Sequence, residues 1–297
     1  MNKKYPIVFA ILAACAASSM RASPPQEVLV AGALSTVQVD DSVGYLVYRM
    51  AVSNDPESRG PIAIVAMDLS DVREDAGGTS PPPSSGNFRP LNIDALPPIE
   101  GVSPLHTVPV GPDTPEGWTA YQADNGSVRW VERLGGDLLR MGGVDPGSTL
   151  TGFALRSEYL PGIREVRLAP AWHAIFDVYP DLDGGDQYIT HEDFSIAVPA
   201  ALPTWKASEL DYDLIEQQLT RSCTELGWIT NSGICNSLQV KLNEVVQALE
   251  SDNYNAAAGG LRAFSHELDA LNVKFISGEA YYMLKLNSEA LADRIES

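Results

Sequence analysis

The sequence predicts an all-β sandwich over residues 24–203, followed by a small all-α bundle over residues 205–297. Three observations carry this reading. As far as Pro203, apolar residues come in short alternating runs parted by Gly, Pro and Asn. That is the pattern of strands with one face buried. After Lys206 they recur at steps of three and four, which collects them on single faces of helices. No long helical period occurs in the front half, so the two regimes are separate. A chain of 297 residues holds two domains at roughly 100–200 residues each.

The strands follow in order. Residues 28–39 supply one or two early strands. Residues 44–53, GYLVYRMAVS, set Leu46, Tyr48, Met50 and Val52 on one face and Tyr45, Val47, Arg49 and Ala51 on the other. Residues 62–69, IAIVAMDL, are rich in β-branched side chains. Proline and glycine then crowd 75–98, and proline has no N–H for a ladder, so 75–115 reads as a long surface excursion. Strands resume at 118–122 and 128–132, joined around Asp124, Asn125 and Gly126, a hairpin signal because Asn-Gly accepts positive φ. Residues 148–155 and 175–179 complete about seven to nine short strands. An immunoglobulin-like antiparallel sandwich is the natural arrangement, although its Cys…Trp…Cys signature is absent. Gly147, Gly152 and Gly162 suit turns and close backbone approach.

One acidic stretch is a candidate metal site. Asp181, Asp183 and Asp186, with Glu192 eleven residues after Asp181, suit Ca2+, a hard cation bound by oxygen. The first and twelfth positions fit an EF-hand loop. Gly185 stands where a side-chain ligand is expected, however, and Asp186 where a glycine is required. The flanks look like strands. The competing readings are a calcium loop of another kind and a solvated hairpin tip. No other cofactor is indicated.

The back half reads as four helices. Ser208–Asp211 has capping-box character, and Leu210, Leu214 and Leu219 begin a first helix ending near 223–227. Thr230, Asn231, Ser232 and Gly233 are turn and cap residues. They open a second helix with its stripe at Ile234, Leu238, Leu242, Val245 and Leu249. Asp252 and Asn253 precede a third, striped at Ala257, Leu261, Phe264, Leu268 and Leu271. Ser277 and Gly278 start a fourth, with Ala280, Leu284, Leu291 and Ile295. Short connections between amphipathic helices imply an antiparallel bundle, joined to the front half near 200–206.

Several of these phrases carry a resemblance. Ile229-Thr230-Asn231, Gly233-Ile234, Asn236-Ser237-Leu238 and Lys241-Leu242 resemble the FIMAH domain. So do Ala248-Leu249-Glu250, Ala257-Ala258, Ala263-Phe264, Ile276-Ser277 and Glu279-Ala280. The similarity runs over about 208–296. It implies a small helical module appended to secreted or surface-anchored bacterial proteins, in an accessory, interaction or spacer role, and it supplies no catalytic residue. In the front half, Pro146-Gly147-Ser148 and Leu160-Pro161-Gly162-Ile163-Arg164 resemble phrases of secreted bacterial proteins with no assigned activity.

The first 23 residues read as an export signal. Lys3 and Lys4 precede an apolar run too short to span a bilayer, followed by small residues. Leu12-Ala13-Ala14-Cys15 resembles a bacterial lipobox. In that reading Cys15 becomes the acylated anchor; in the other, cleavage falls a few residues later and discards it. Cys223 and Cys235 then remain, and two cysteines in an exported chain are most simply a disulfide.

Charge and missing motifs narrow the function. The formal net charge is −19, and removing a leader that bears Lys3, Lys4 and Arg21 deepens it by three. Such a surface repels phosphate backbones, so nucleic acid is excluded as a partner. There is no GxSxG elbow, HExxH, phosphate loop or dinucleotide fingerprint, and His106, His173, His191 and His266 are scattered. The expected function is non-catalytic: an exported or surface-anchored protein that binds a protein or glycan, or acts as a spacer, touching membrane only through a lipid anchor. Trp118, Trp130 and Trp172 are candidate contact aromatics, with core packing as the alternative. The alternative function is an extracellular hydrolase accessory, or a calcium-dependent binder using 181–192.

Overall fold

The computed structural model describes residues 31–40, 45–69, 89–90, 107–109, 114–122, 128–132, 143–171, 194–271 and 274–297. Among the described residues ten strands precede four helices. The strands are β1 (Ala31–Asp40), β2 (Tyr45–Asn54), β3 (Ile62–Met67), β4 (Arg89–Pro90), β5 (Thr107–Pro109), β6 (Trp118–Gln122), β7 (Val128–Glu132), β8 (Thr149–Ser157), β9 (Leu160–Pro170) and β10 (Ile196–Trp205). The helices are α1 (Tyr212–Thr224), α2 (Ser232–Glu250), α3 (Tyr254–Leu271) and α4 (Gly278–Glu296).

The strands form two sheets, ordered β1-β2-β8-β5 and β10-β9-β3-β7-β6-β4. Every pairing among the described residues is antiparallel. The two sheets share one core. The alternation in β2 delivers Tyr48, Met50 and Val52 to it, and β8 adds Phe153 and Leu155. The second sheet answers with Val65, Met67, Trp118, Trp130, Val166 and Leu168. Phe153 sits at the centre, edge-on to Trp118 at 5.1 Å and to Trp130 at 5.8 Å, an orientation aromatic quadrupoles favour. Where β2 meets β8 the register slips between Met50 and Ala51. Gly152, with φ of +102°, is the extra residue of that bulge, a conformation open to glycine and strained for others.

The structure departs from the sequence reading in three places. The excursion over 75–115 contains β4 and β5, which add one short strand to each sheet. Residues 160–164, to which the sequence reading assigns no strand, begin β9, the longest strand among those described. Gly162 is there for proximity, since a Cβ on it would lie 2.6 Å from Trp205 Nε1 and 2.7 Å from Thr204 Cβ. The segment taken to join the two halves is itself strand as far as Trp205. The hairpin tip at 124–126 and the strand expected at 175–179 lie outside the described residues.

In the bundle, each helix packs on the next and α1 returns to α4. The stripes of α2 and α3 are buried as spaced, except that Leu249 and Leu271 are only half-buried. Asn231 caps α2, accepting from the N–H groups of Gly233 and Ile234. Ser277 caps α4 by accepting from Ala280. At α1 the cap is Asp211, the last residue of the proposed box rather than its first, which accepts from Leu214 N–H at 2.9 Å. Its buried face is Ile215, Gln218, Leu219 and Ser222. Leu210, read as the first residue of the stripe, instead belongs to the core between the sheets. Leu210 precedes the cap at Asp211, so it lies outside the helix and is not held to its stripe.

Candidate functional site

The bundle presents two built features. The first is the end where α1 turns into α2. Cys223 and Cys235 form a disulfide across that turn, with Cα atoms 6.1 Å apart. Below it the α1–α2 and α3–α4 connections pair as a short antiparallel bridge, Ile229 with Ile276. Ser277 N–H donates to the Trp228 carbonyl at 2.7 Å, and Thr230 N–H to that of Phe275 at 3.3 Å. Trp228 and Phe275 are half-buried against the bundle core, and the Lys274 ammonium lies 4.9 Å from the Phe275 ring centroid.

The second feature is a polar groove between α3 and α4, lined by Arg262, Ser265, His266, Glu289, Ala292 and Asp293, with a volume of about 300 Å³. The helical repeat builds it. Tyr281, Lys285, Glu289 and Asp293 stand four apart along α4, opposite Arg262, Ser265 and Asp269 on α3. The Arg262 guanidinium donates to Asp293 Oδ1 at 3.2 Å and Glu296 Oε2 at 2.6 Å. Ser265 Oγ donates to Glu289 Oε1 at 2.8 Å. Asp269 accepts from Tyr281 Oη at 2.6 Å and also pairs with the Lys285 ammonium.

These contacts set the charges. Hydrogen bonds from Lys285 and Tyr281 hold the Asp269 carboxyl below its ordinary range. Burial works against the Lys285 ammonium, but Asp269, Glu289 and Tyr281 outweigh it and raise its pKa. The Asp269–Lys285 pair is therefore ionised at neutral pH. Ser265 is buried and engaged with Glu289, so it is not a free nucleophile. The groove offers hydrogen-bond donors and acceptors to a polar ligand. His266 is exposed at its side.

With that geometry in hand, the comparison with protein families is specific. Residues 215–293 match the FIMAH domain. The match covers the bundle from α1 into α4. No curated protein and no solved structure matches the chain.

Outside the FIMAH bundle, the residues singled out from the sequence divide. Asp181, Asp183, Asp186 and Glu192 lie outside the described residues, as do Cys15, Trp172, His106, His173 and His191. Trp118 and Trp130 are core residues, 3% and 0% exposed, not contact aromatics. Among the described residues no three His, Cys, Asp or Glu side chains gather in a way that could hold a metal ion. Apolar spacing alone does not reveal the groove, since its lining is polar. Its signal was the polar series at 281, 285, 289 and 293 beside the stripe, which marks an exposed helix face laced by ion pairs.

Proposed function

We propose that this chain is a non-catalytic exported or surface-anchored protein in which an immunoglobulin-like β body carries a FIMAH module as a binding or spacer element. One observation carries the reading: the FIMAH match at 215–293 falls on a helical bundle built onto two antiparallel sheets. Residue chemistry supports it. The groove charges are paired with one another, which suits recognition of hydroxyl-rich or peptide groups better than a reaction. The partner class is a protein or a glycan, and the acidic surface argues against nucleic acid. Export accords with the disulfide and with the sequence of the first 23 residues. Among the described residues no helix is long and apolar enough to cross a membrane; in the lipobox reading, attachment uses acylated Cys15.

The test is a glycan and protein binding screen with the purified chain, beside cell fractionation and metabolic lipid labelling. Binding that Glu289→Gln or Arg262→Ala weakens supports the groove as the contact. Hydrolytic turnover that persists across independent preparations would overturn the reading. A calcium-dependent mode is the second reading, favoured by the spacing of Asp181, Asp183, Asp186 and Glu192.

A further inference from the structure

Helix α4 has two apolar sides. Tyr282, Leu286 and Ala290 lie against the core between the sheets, while Met283, Leu284 and Leu291 enter the bundle core. On the same helix is Asn287, which is 0% exposed. Its Nδ2 donates to the Pro161 carbonyl in β9 and to Gln218 Oε1 in α1, each at 2.8 Å. A buried amide needs such partners.

The sheet-side partner has a specific origin. In the β9–β10 ladder Pro161 stands opposite Pro203, and neither residue has an N–H. On the other side, the pairing of β3 with β9 ends at Met67 with Val166, short of Pro161. Pro203, set opposite, therefore offers the Pro161 carbonyl no N–H, and the Asn287 amide supplies one.

We propose that Asn287 is a surrogate rung that splices the FIMAH bundle to the β body, so that the two unfold as one cooperative unit. Further contacts point the same way. Ala201 of β10 is part of the bundle core, and Leu210, just before α1, is part of the sheet core. Arg294 Nη1 donates to the carbonyls of Ala207 and Ser208 at 3.0 and 2.9 Å, tying the end of α4 to the connection between the halves.

Amide hydrogen exchange on the full chain tests this, because it reads each body separately. In the wild type, the slowest amides of β3 and β8 and those of α2 and α3 exchange at one common opening rate. Asn287→Asp keeps the shape but replaces the donating amide with an acceptor. It makes the bundle amides open at least tenfold faster than those of the sheets. Asn287→Leu, which sets no acceptor against the carbonyl, shows the same split and serves where the Asp variant does not fold. Gln218→Met leaves the Pro161 bond in place and keeps the two rates equal. Two separate rates in the wild type overturn the proposal. So does equal acceleration of both bodies in the Asn287 variants, and so does a split in Gln218→Met.

Discussion

Removing the disulfide is a quantitative test of how the bundle is held. Cys223 and Cys235 are 12 residues apart. The chain-entropy account gives a closed loop of that size about 3 kcal/mol, lost when the cross-link no longer restricts the unfolded chain. The shift in melting temperature depends on how much of the protein melts with it. Unfolding entropy is about 2.1 cal/mol/K per residue. For the 297-residue chain that is about 0.6 kcal/mol/K, so the loss lowers Tm by about 5 °C. If residues 215–293 melted alone, the entropy would be about 0.17 kcal/mol/K and the fall about 18 °C. The assay is differential scanning calorimetry of wild type against the Cys223→Ser/Cys235→Ser double variant. The fused architecture predicts one transition, lowered by about 5 °C. A separate transition displaced by nearly 20 °C would refute it, and an unchanged Tm would refute the loop-entropy reasoning.

Three further outcomes follow from particular residues. Phe153→Ala empties the site between Trp118 and Trp130 and should cost about 3–5 kcal/mol, read by urea denaturation. Burial, and then the neighbouring Asp145, push the Glu132 carboxyl up from its ordinary 4.5 to about 7. A raised folded pKa gives stability that is full below about 4.5 and lost as pH rises through about 7. Discounted for partial solvent access, the loss is on the order of 1 kcal/mol. Glu132→Gln should therefore match wild type at pH 4 and exceed it at pH 8 in thermal melts. On the calcium reading, calcium raises the Tm of the wild type and leaves Asp183→Ala unmoved; the absence of any wild-type response would remove that reading.

Much of the fold was legible because periodicity is a local property. β6 and β7 begin and end where their alternation does, and the stripes of α2 and α3 are the buried faces. β9 was illegible for a physical reason. Pro161 and Gly162 read as punctuation in isolation, and they become strand residues because Pro203 and Leu202 lie opposite. The second side of α4 was hidden likewise. Tyr282, Leu286 and Ala290 interleave with Met283, Leu284 and Leu291, so no single stripe stands out. The groove needed the pairing of two helices, and the sequence lists each only by itself.

The doubled character of α4 also limits how the molecule can be divided. A fragment cut after Trp205 would keep every residue of the FIMAH match, yet Tyr282, Leu286 and Ala290 would face water. Leu210 would have lost its socket between the sheets. Such an excised piece should be sticky, pairing with copies of itself through that bared flank. The reciprocal fragment, ending at Trp205, would leave the Pro161 carbonyl without its donor at the rim of a sheet.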